Sequence, residues 1–284
     1  MGLINYNIEK YSPQQLVVIP LALLVISLVL LSLNMWTTGM PVKPGIDFTG
    51  GTAVSLDTSD TSEQLRANFA GYPLTDISEG VNNGKFLKFS AMTDAQYRSL
   101  TDLISEKYPN AKVDQIGESF GKTLQQQAVI AIVFSFIGMA IVIFLAFRTF
   151  VPATAVVLSA FADMIMTAAV MNIIGIPLTL GTTAALLMLI GYSVDSDILL
   201  TNRVLTRQGK LHDKLKGAFE TGIIMTSTTF AAVTAMLIVS WFGSVQILME
   251  ISAVLLIGLV FDIFNTWLTN AGILKWYVLK GGGK

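Results

Sequence analysis

LTLGTTAALLMLIGYSVDSDILLT, residues 178–201, is long and apolar enough to cross a bilayer, yet it keeps two acids, Asp195 and Asp197. A hydrocarbon core about 30 Å thick takes a helix of about 20 apolar residues. Further stretches meet the same measure at roughly 16–36, 127–147, 151–174, 222–242 and 246–272. Composition agrees, since 53% of the 284 residues are hydrophobic and only 13% are charged, the balance of a membrane protein. The fold class is therefore an α-helical polytopic membrane protein with six transmembrane helices. The first apolar run, LVVIPLALLVISLVLLSL, is too long for the core of a signal peptide and no A-x-A-like site follows it, so it is read as an uncleaved span.

Lys and Arg set the orientation. With the N-terminus inside, the short inner connections hold Arg148 and, in loop 202–221, Arg203, Arg207, Lys210, Lys214 and Lys216; the tail adds Lys275, Lys280 and Lys284. The outer connections IIGIPLT and WFGSVQ hold no base. Trp36 and Trp241 fall at outer helix ends, and Trp267, Trp276 and Tyr277 at the inner edge, as interfacial aromatics do. Both termini are thus expected in the cytoplasm and residues 37–126 outside. The organisation is residues 1–36 (inner N-terminus and first helix), 37–126 (outer domain) and 127–284 (remaining helices and cytoplasmic tail).

The polar segment 37–126 has a pattern of its own. TAVSLDT (52–58) alternates like a strand, and TSEQLRANFAG (61–71) has a helix cap and a closing Gly. PLTDISEG and KFLKFSA flank VNNG, a hairpin signal. TDAQYRSLTDLISEKYP (93–109) carries a helical apolar stripe behind a Thr/Asp cap, and AKVDQIGES is a last strand. The order β-α-β-β-α-β predicts a ferredoxin-like α/β domain. Its acids alternate with bases and it holds no His or Cys, so it is read as a binding or gating module, not an enzyme. GIDFTGG, with Gly45, Asp47, Phe48, Gly50 and Gly51, leads into it. A phosphate loop would need a Lys and a following helix, whereas here a strand follows. The simpler reading is a tight turn in which Asp47 satisfies backbone N–H groups. The chain lacks cysteine, and its one histidine, His212, lies in a Lys-rich segment, so neither metal nor cofactor is expected.

Acids inside the membrane are the candidate functional residues. A charge at the bilayer centre costs about 2.5–3.5 kcal/mol on insertion scales. Asp163 and Asp262 fall near the middle of their stretches, and Asp195 a few residues inward of the middle of its own. Asp195 and Asp197 stand about 200° apart on a helix and cannot face one neighbour. Asp195 is read as the candidate for interior protonation or partner contact, and Asp197 as an interfacial residue that snorkels or pairs with Arg203. No Lys or Arg occurs between Arg148 and Arg203, or between Lys216 and Lys275. The acids must therefore be protonated, be met by a partner subunit's cation, or be satisfied by hydroxyls such as Thr226 and Thr229 in TGIIMTSTTFAAVT. Two roles stay open: a protonatable relay or interhelical hydrogen-bond glue.

Several motifs carry a resemblance. GIDFTGG, IGESFGKTLQQQAVIAI leading into the second helix, FRTFVPA, the stretch IGIPLTLGTTAALLMLIGYSVDSD and the hydroxyl-rich TSTT together resemble the SecD/SecF family of protein-export membrane proteins, within the resistance-nodulation-division superfamily. The helix-4 motif is Gly191, Tyr192, Ser193 and Val194, followed by Asp195 and Asp197. The resemblance implies six helices with an outer domain after the first, and a heterodimer with a SecD subunit. It implies a non-enzymatic accessory role beside the Sec translocon channel, acting on exported preproteins among membrane lipids, with no nucleic acid involved. In bacterial members the proton gradient is the energy source. Those of the SecF branch read GYSVND, their acid aligning with Ser196, and carry an Arg near Thr221. Asp195 falls instead where the SecD branch has its acid, and GYSVDSD is closest to the archaeal form. The alternative is a proton-coupled exporter of small molecules or lipids of the same superfamily.

Overall fold

The computed structural model describes residues 10–80 and 83–281. Among them, six helices are long and apolar enough to cross a membrane. They are α1 (Pro13–Thr38), α5 (Glu118–Phe147), α6 (Phe150–Ile174), α7 (Leu180–Thr206), α8 (Leu211–Phe242) and a last span over Gln246–Leu279. That span is built from α9 (Gln246–Phe264), a π-helical turn (Asn265–Asn270) and α10 (Ala271–Leu279).

Between α1 and α5 lies the domain that the sequence places outside: α2 (Ile46–Thr49), β1 (Gly51–Asp57), α3 (Ser62–Asn68), β2 (Leu74–Glu79), β3 (Gly84–Phe89), α4 (Asp94–Lys107) and β4 (Lys112–Ile116). Its sheet is antiparallel in the order β2-β3-β1-β4, the ferredoxin-like arrangement that the sequence order predicts. Thr61 with Gln64 and Thr93 with Gln96 form capping boxes that start α3 and α4. Val54, Leu56, Leu87 and Phe89 of the sheet meet Leu65, Phe69, Leu100 and Ile104 in one apolar core. In the expected hairpin, Val81 and Asn82 lie outside the described residues, while Asn83 takes a positive φ of 64°, as an Asn-Gly turn requires.

Most helix ends extend past the apolar stretches, although α7 begins two residues inside its own. α5 begins at Glu118, inside the segment read as the outer domain, and the last helix runs on to Leu279. The inner connection contracts from 202–221 to the few residues between Thr206 and Leu211. A hydropathy boundary marks where the hydrocarbon ends, whereas a helix continues into water while its residues favour it. Trp267 is corrected as well. It is 3% exposed, so its ring packs into the bundle and not against lipid; it stacks edge-on to Phe219 at 5.1 Å. It also lies where a Cβ at Gly222 would come within 2.3 Å of it.

The inner helices pack closely because their contact faces are small. α6 buries Ala153, Ala155, Ser159, Ala160, Ala162, Ala168 and Ala169, the residue type that lets membrane helices approach. In α9, a Cβ at Gly258 would fall 2.4 Å from the side chain of Leu189 on α7. α5 and α8 instead present large apolar side chains outward, among them Phe134, Ile137, Ile224 and Val239.

The packing of the outer domain yields a direct expectation. Phe69 is fully buried, so Phe69→Ala should cost the domain about 3–5 kcal/mol. Arg66→Ala, on the exposed face of α3, should stay within about 0.5 kcal/mol. Hydrogen exchange of the β1 and β3 amides in the full chain reads both, and unchanged exchange in the Phe69 variant would contradict the packing.

Candidate functional site: an intramembrane carboxyl cluster

Three acids from three helices are buried within the bundle: Asp163 on α6, Asp197 on α7 and Asp262 on α9, exposed by 0%, 0% and 1%. Ser193 Oγ donates to Asp163 Oδ2 at 2.5 Å, and Asn265 Nδ2 donates to Asp163 Oδ1 at 2.6 Å. Thr269 Oγ1 in turn donates to Asn265 Oδ1 at 3.0 Å. A continuous hydrogen-bonded chain thus crosses from the last helix through α6 to α7. Asn270 Nδ2 donates to Asp197 Oδ1 at 2.8 Å and reaches Thr201 Oγ1 at 3.4 Å. Thr266 Oγ1 donates to Asp262 Oδ1 at 3.1 Å.

Two local features build this cluster. On α7, Ser193, Asp197 and Thr201 recur every four residues and share the buried face. On the last helix, Asn265 and Asn270 are five apart, about 140° around an α-helix. The i→i+5 closure of the π turn brings such residues toward one side, so one asparagine serves α6 and the other α7. Fully buried Asn265, Thr266 and Asn270 line this turn.

The carboxyl groups are sparsely satisfied. A carboxylate offers about four acceptor sites; Asp197 accepts from Asn270, and Asp262 from Thr266. Asp197 Oδ2, Ser159 Oγ and Asn270 Oδ1 are buried with no hydrogen-bond partner among the described residues. Among the described residues, none of the three acids is ion-paired. Such a set can join helices and can take up or release a proton.

Of the two acids of α7, the structure buries Asp197, the one expected at the interface, and leaves Asp195 at the surface. Asp195 is exposed on the opposite side of the helix, in register with Met188 and Tyr192, so the interior position belongs to Asp197. The reason is the 200° separation combined with the packed face of α7, where Leu186, Leu189, Ile190, Ser193 and Leu200 are buried. Arg203 does not pair with Asp197. Its guanidinium donates to the Gly217 carbonyl and to Thr221 Oγ1 at 2.8 Å, tying α7 to α8. Thr226 is buried on α8, and Thr229 donates to the Met225 carbonyl at 3.2 Å. Neither is hydrogen-bonded to a carboxyl group among the described residues. Asn265 and Asn270 are the partners that sequence reasoning missed, although FDIFNTWLTN (261–270) shows them: its polar residues recur at helical spacing inside an apolar run.

GIDFTGG folds as α2 and two glycines with positive φ, 76° at Gly50 and 147° at Gly51. Phe48 is buried. Asp47 does satisfy a backbone N–H, that of Leu180 at the start of α7, at 2.8 Å. Gly45 N donates to the Leu178 carbonyl at 2.8 Å beside it.

Comparison with known proteins fits this architecture. The family profile described as protein export membrane protein SecD/SecF, C-terminal, matches residues 96–280. The chain is 56% identical over 282 residues to the protein-export membrane protein SecF of Methanolacinia petrolearia, covering 99% of this chain and 100% of that one. It is 39% identical to the SecF of Haloferax volcanii, covering 96% and 95%, and 38% identical to that of Pyrococcus furiosus, covering 97% and 94%. In fold it is similar to the crystal structure of a Thermus SecDF, a translocon-associated membrane protein. That likeness has a TM-score of 0.76 at 20% identity and covers 98% of this chain and 40% of that one. The chain belongs to the SecD/SecF family of protein-export membrane proteins.

Proposed function

We propose that this chain is the SecF-type half of a membrane unit that assists the export of proteins, and that it acts without catalysing a covalent reaction. Its partners in this reading are a SecD subunit, the Sec translocon channel, exported preproteins and the surrounding lipids. The observation that carries the reading is the buried Asp163–Asp197–Asp262 cluster in a chain of this family. Interhelical hydrogen bonds in membranes average about 0.6 kcal/mol each, which Asn or Ser could supply. Placing a charge there costs about 2.5–3.5 kcal/mol. Glue alone therefore gives little reason to keep three acids. Proton uptake and release does, and it would let the cluster draw on the proton gradient.

Charge distribution supports cytoplasmic termini. The end of the bundle opposite the outer domain collects Arg148, Arg203, Arg207, Lys210, Lys214 and Lys275, whereas the short connections IIGIPLT and WFGSVQ at the other end hold no base. The exposed face of α7 is the surface proposed for the SecD subunit. It places an acid, Asp195, among Met188 and Tyr192, where lipid would leave it unmatched.

Two expectations follow from these assignments. Asp197→Asn keeps the volume and an acceptor but cannot exchange a proton. In cells relying on the variant, export of a secreted reporter should fall about a hundredfold or more, the scale of losing a positioned proton-transfer group, while the chain still co-purifies with its partner. Wild-type export in this variant would remove the relay role. Asp195→Leu should reduce recovery of the SecD subunit in co-purification, with the chain itself still inserted; undiminished recovery would show that this face is not the contact.

A further inference from the structure

The segment leading into the outer domain is shaped to fit the starts of two membrane helices. A Cβ at Gly45 would lie 2.6 Å from Thr179 Cγ2, at the cap of α7. A Cβ at Gly50 would lie 2.7 Å from Glu118 Cα, at the start of α5. Leu178 is held from both sides: its N–H donates to the Lys43 carbonyl at 2.7 Å, and its carbonyl accepts from Gly45 N at 2.8 Å. Between these contacts the Asp47 carboxylate accepts the Leu180 N–H at 2.8 Å.

That N–H is the first of α7, one of the donors a helix cannot satisfy internally. Thr179 and Thr182 cap the same turn from within the helix, so Asp47 is a second cap, supplied from 133 positions away in the chain. An anion at this end also meets the positive pole of the helix. α7 then continues unbroken to Thr206 and carries Ser193, Asp195 and Asp197. From Leu180 to Asp197 is about 26 Å along a rigid rod. The outer domain has other ties to the bundle: Asn172 of α6 bonds Pro41 and Lys43, and Lys88 of β3 pairs with Glu250 of α9 at 3.4 Å. The Asp47 contact alone among these joins it to the helix that bears two of the membrane acids.

We infer that Asp47 is the positioning residue that couples the outer domain to α7, so that movement of one is transmitted to the carboxyls of the other. This rests on the export role proposed above, but the contact can be tested apart from it. The full chain with its partner subunit is the material. Asp47→Ala removes the acceptor, and Asp47→Asn keeps an acceptor without the charge. Leu180→Pro removes the donor at the first helical position, where proline is tolerated.

Asp47→Ala and Leu180→Pro should each lower reporter export about fivefold, with Asp47→Asn between them and the parent, the scale of a lost helix-terminus contact. Amides 181–183 in the Asp47→Ala chain should exchange about fivefold faster, while the sheet amides stay unchanged and the partner still co-purifies. The double variant Asp47→Ala/Leu180→Pro should be no worse than either single change, because both remove one contact. Additive losses, parental export in both single variants, or loss of the folded complex in both would overturn the assignment. If deleting the whole chain leaves export unchanged, the export reading fails, while the exchange of amides 181–183 still decides whether Asp47 holds α7.

Discussion

Everything in the bundle is arranged around carboxyl groups that hydrocarbon will not tolerate bare. Burying a polar group without partners costs several kcal/mol in an apolar medium, so Asp163 and Asp197 must be met by donors brought from neighbouring helices. That requirement explains the alanine-lined face of α6, which lets α7 and the last helix come close. It also explains Gly258, where a side chain would push α7 away. The π turn is the remaining part. Two asparagines reach two different helices because the last span widens for one turn between Asn265 and Asn270, and such turns recur at functional sites.

The same constraint assigns unequal work to the two acids of GYSVDSD. Asp197 is enclosed and bonded to Asn270, whereas Asp195 stands on the outward face of α7. One helix thus presents an acid to the interior of this chain and another to whatever lies beside it. Arg203, the nearest base along the chain, is committed to Gly217 and Thr221. It pairs with neither acid and instead fixes the C-terminal end of α7 against α8. The N-terminal end of α7 is held by Asp47, so the acid-bearing helix is gripped at both ends. The rival expectation of a small-molecule or lipid exporter is not favoured, since the relatives that match along their full length are named for protein export.

Much of this was legible in the sequence. Bilayer-length apolar runs gave the six spans, and alternation, caps and an Asn-Gly pair gave the outer domain its strand order. The acids themselves were visible as charges in apolar runs. Which of Asp195 and Asp197 faces inward was less so, because both sit in a helix whose neighbours are not written in its own residues. The Ser193–Asp197–Thr201 spacing was nevertheless a polar stripe that could have decided it. Asn265 and Asn270 stand at the two edges of the polar stripe in FDIFNTWLTN, about 140° apart on an α-helix, and the π turn that draws them together had no signal in that spacing. Helix ends were misplaced because hydropathy reports the edge of the hydrocarbon, not the end of hydrogen bonding. The reach of Asp47 to Leu180 depends on tertiary closure across most of the chain and had no local signal.

The central claim is that the buried cluster exchanges protons while the chain works. Infrared difference spectroscopy on the reconstituted complex, comparing an imposed proton gradient with none, reads the carbonyl stretch of protonated carboxyl groups directly. The account predicts a gradient-dependent carboxyl band that disappears in Asp197→Asn and persists in Asp195→Asn. A spectrum with no such band, or one unaltered by Asp197→Asn, would contradict it.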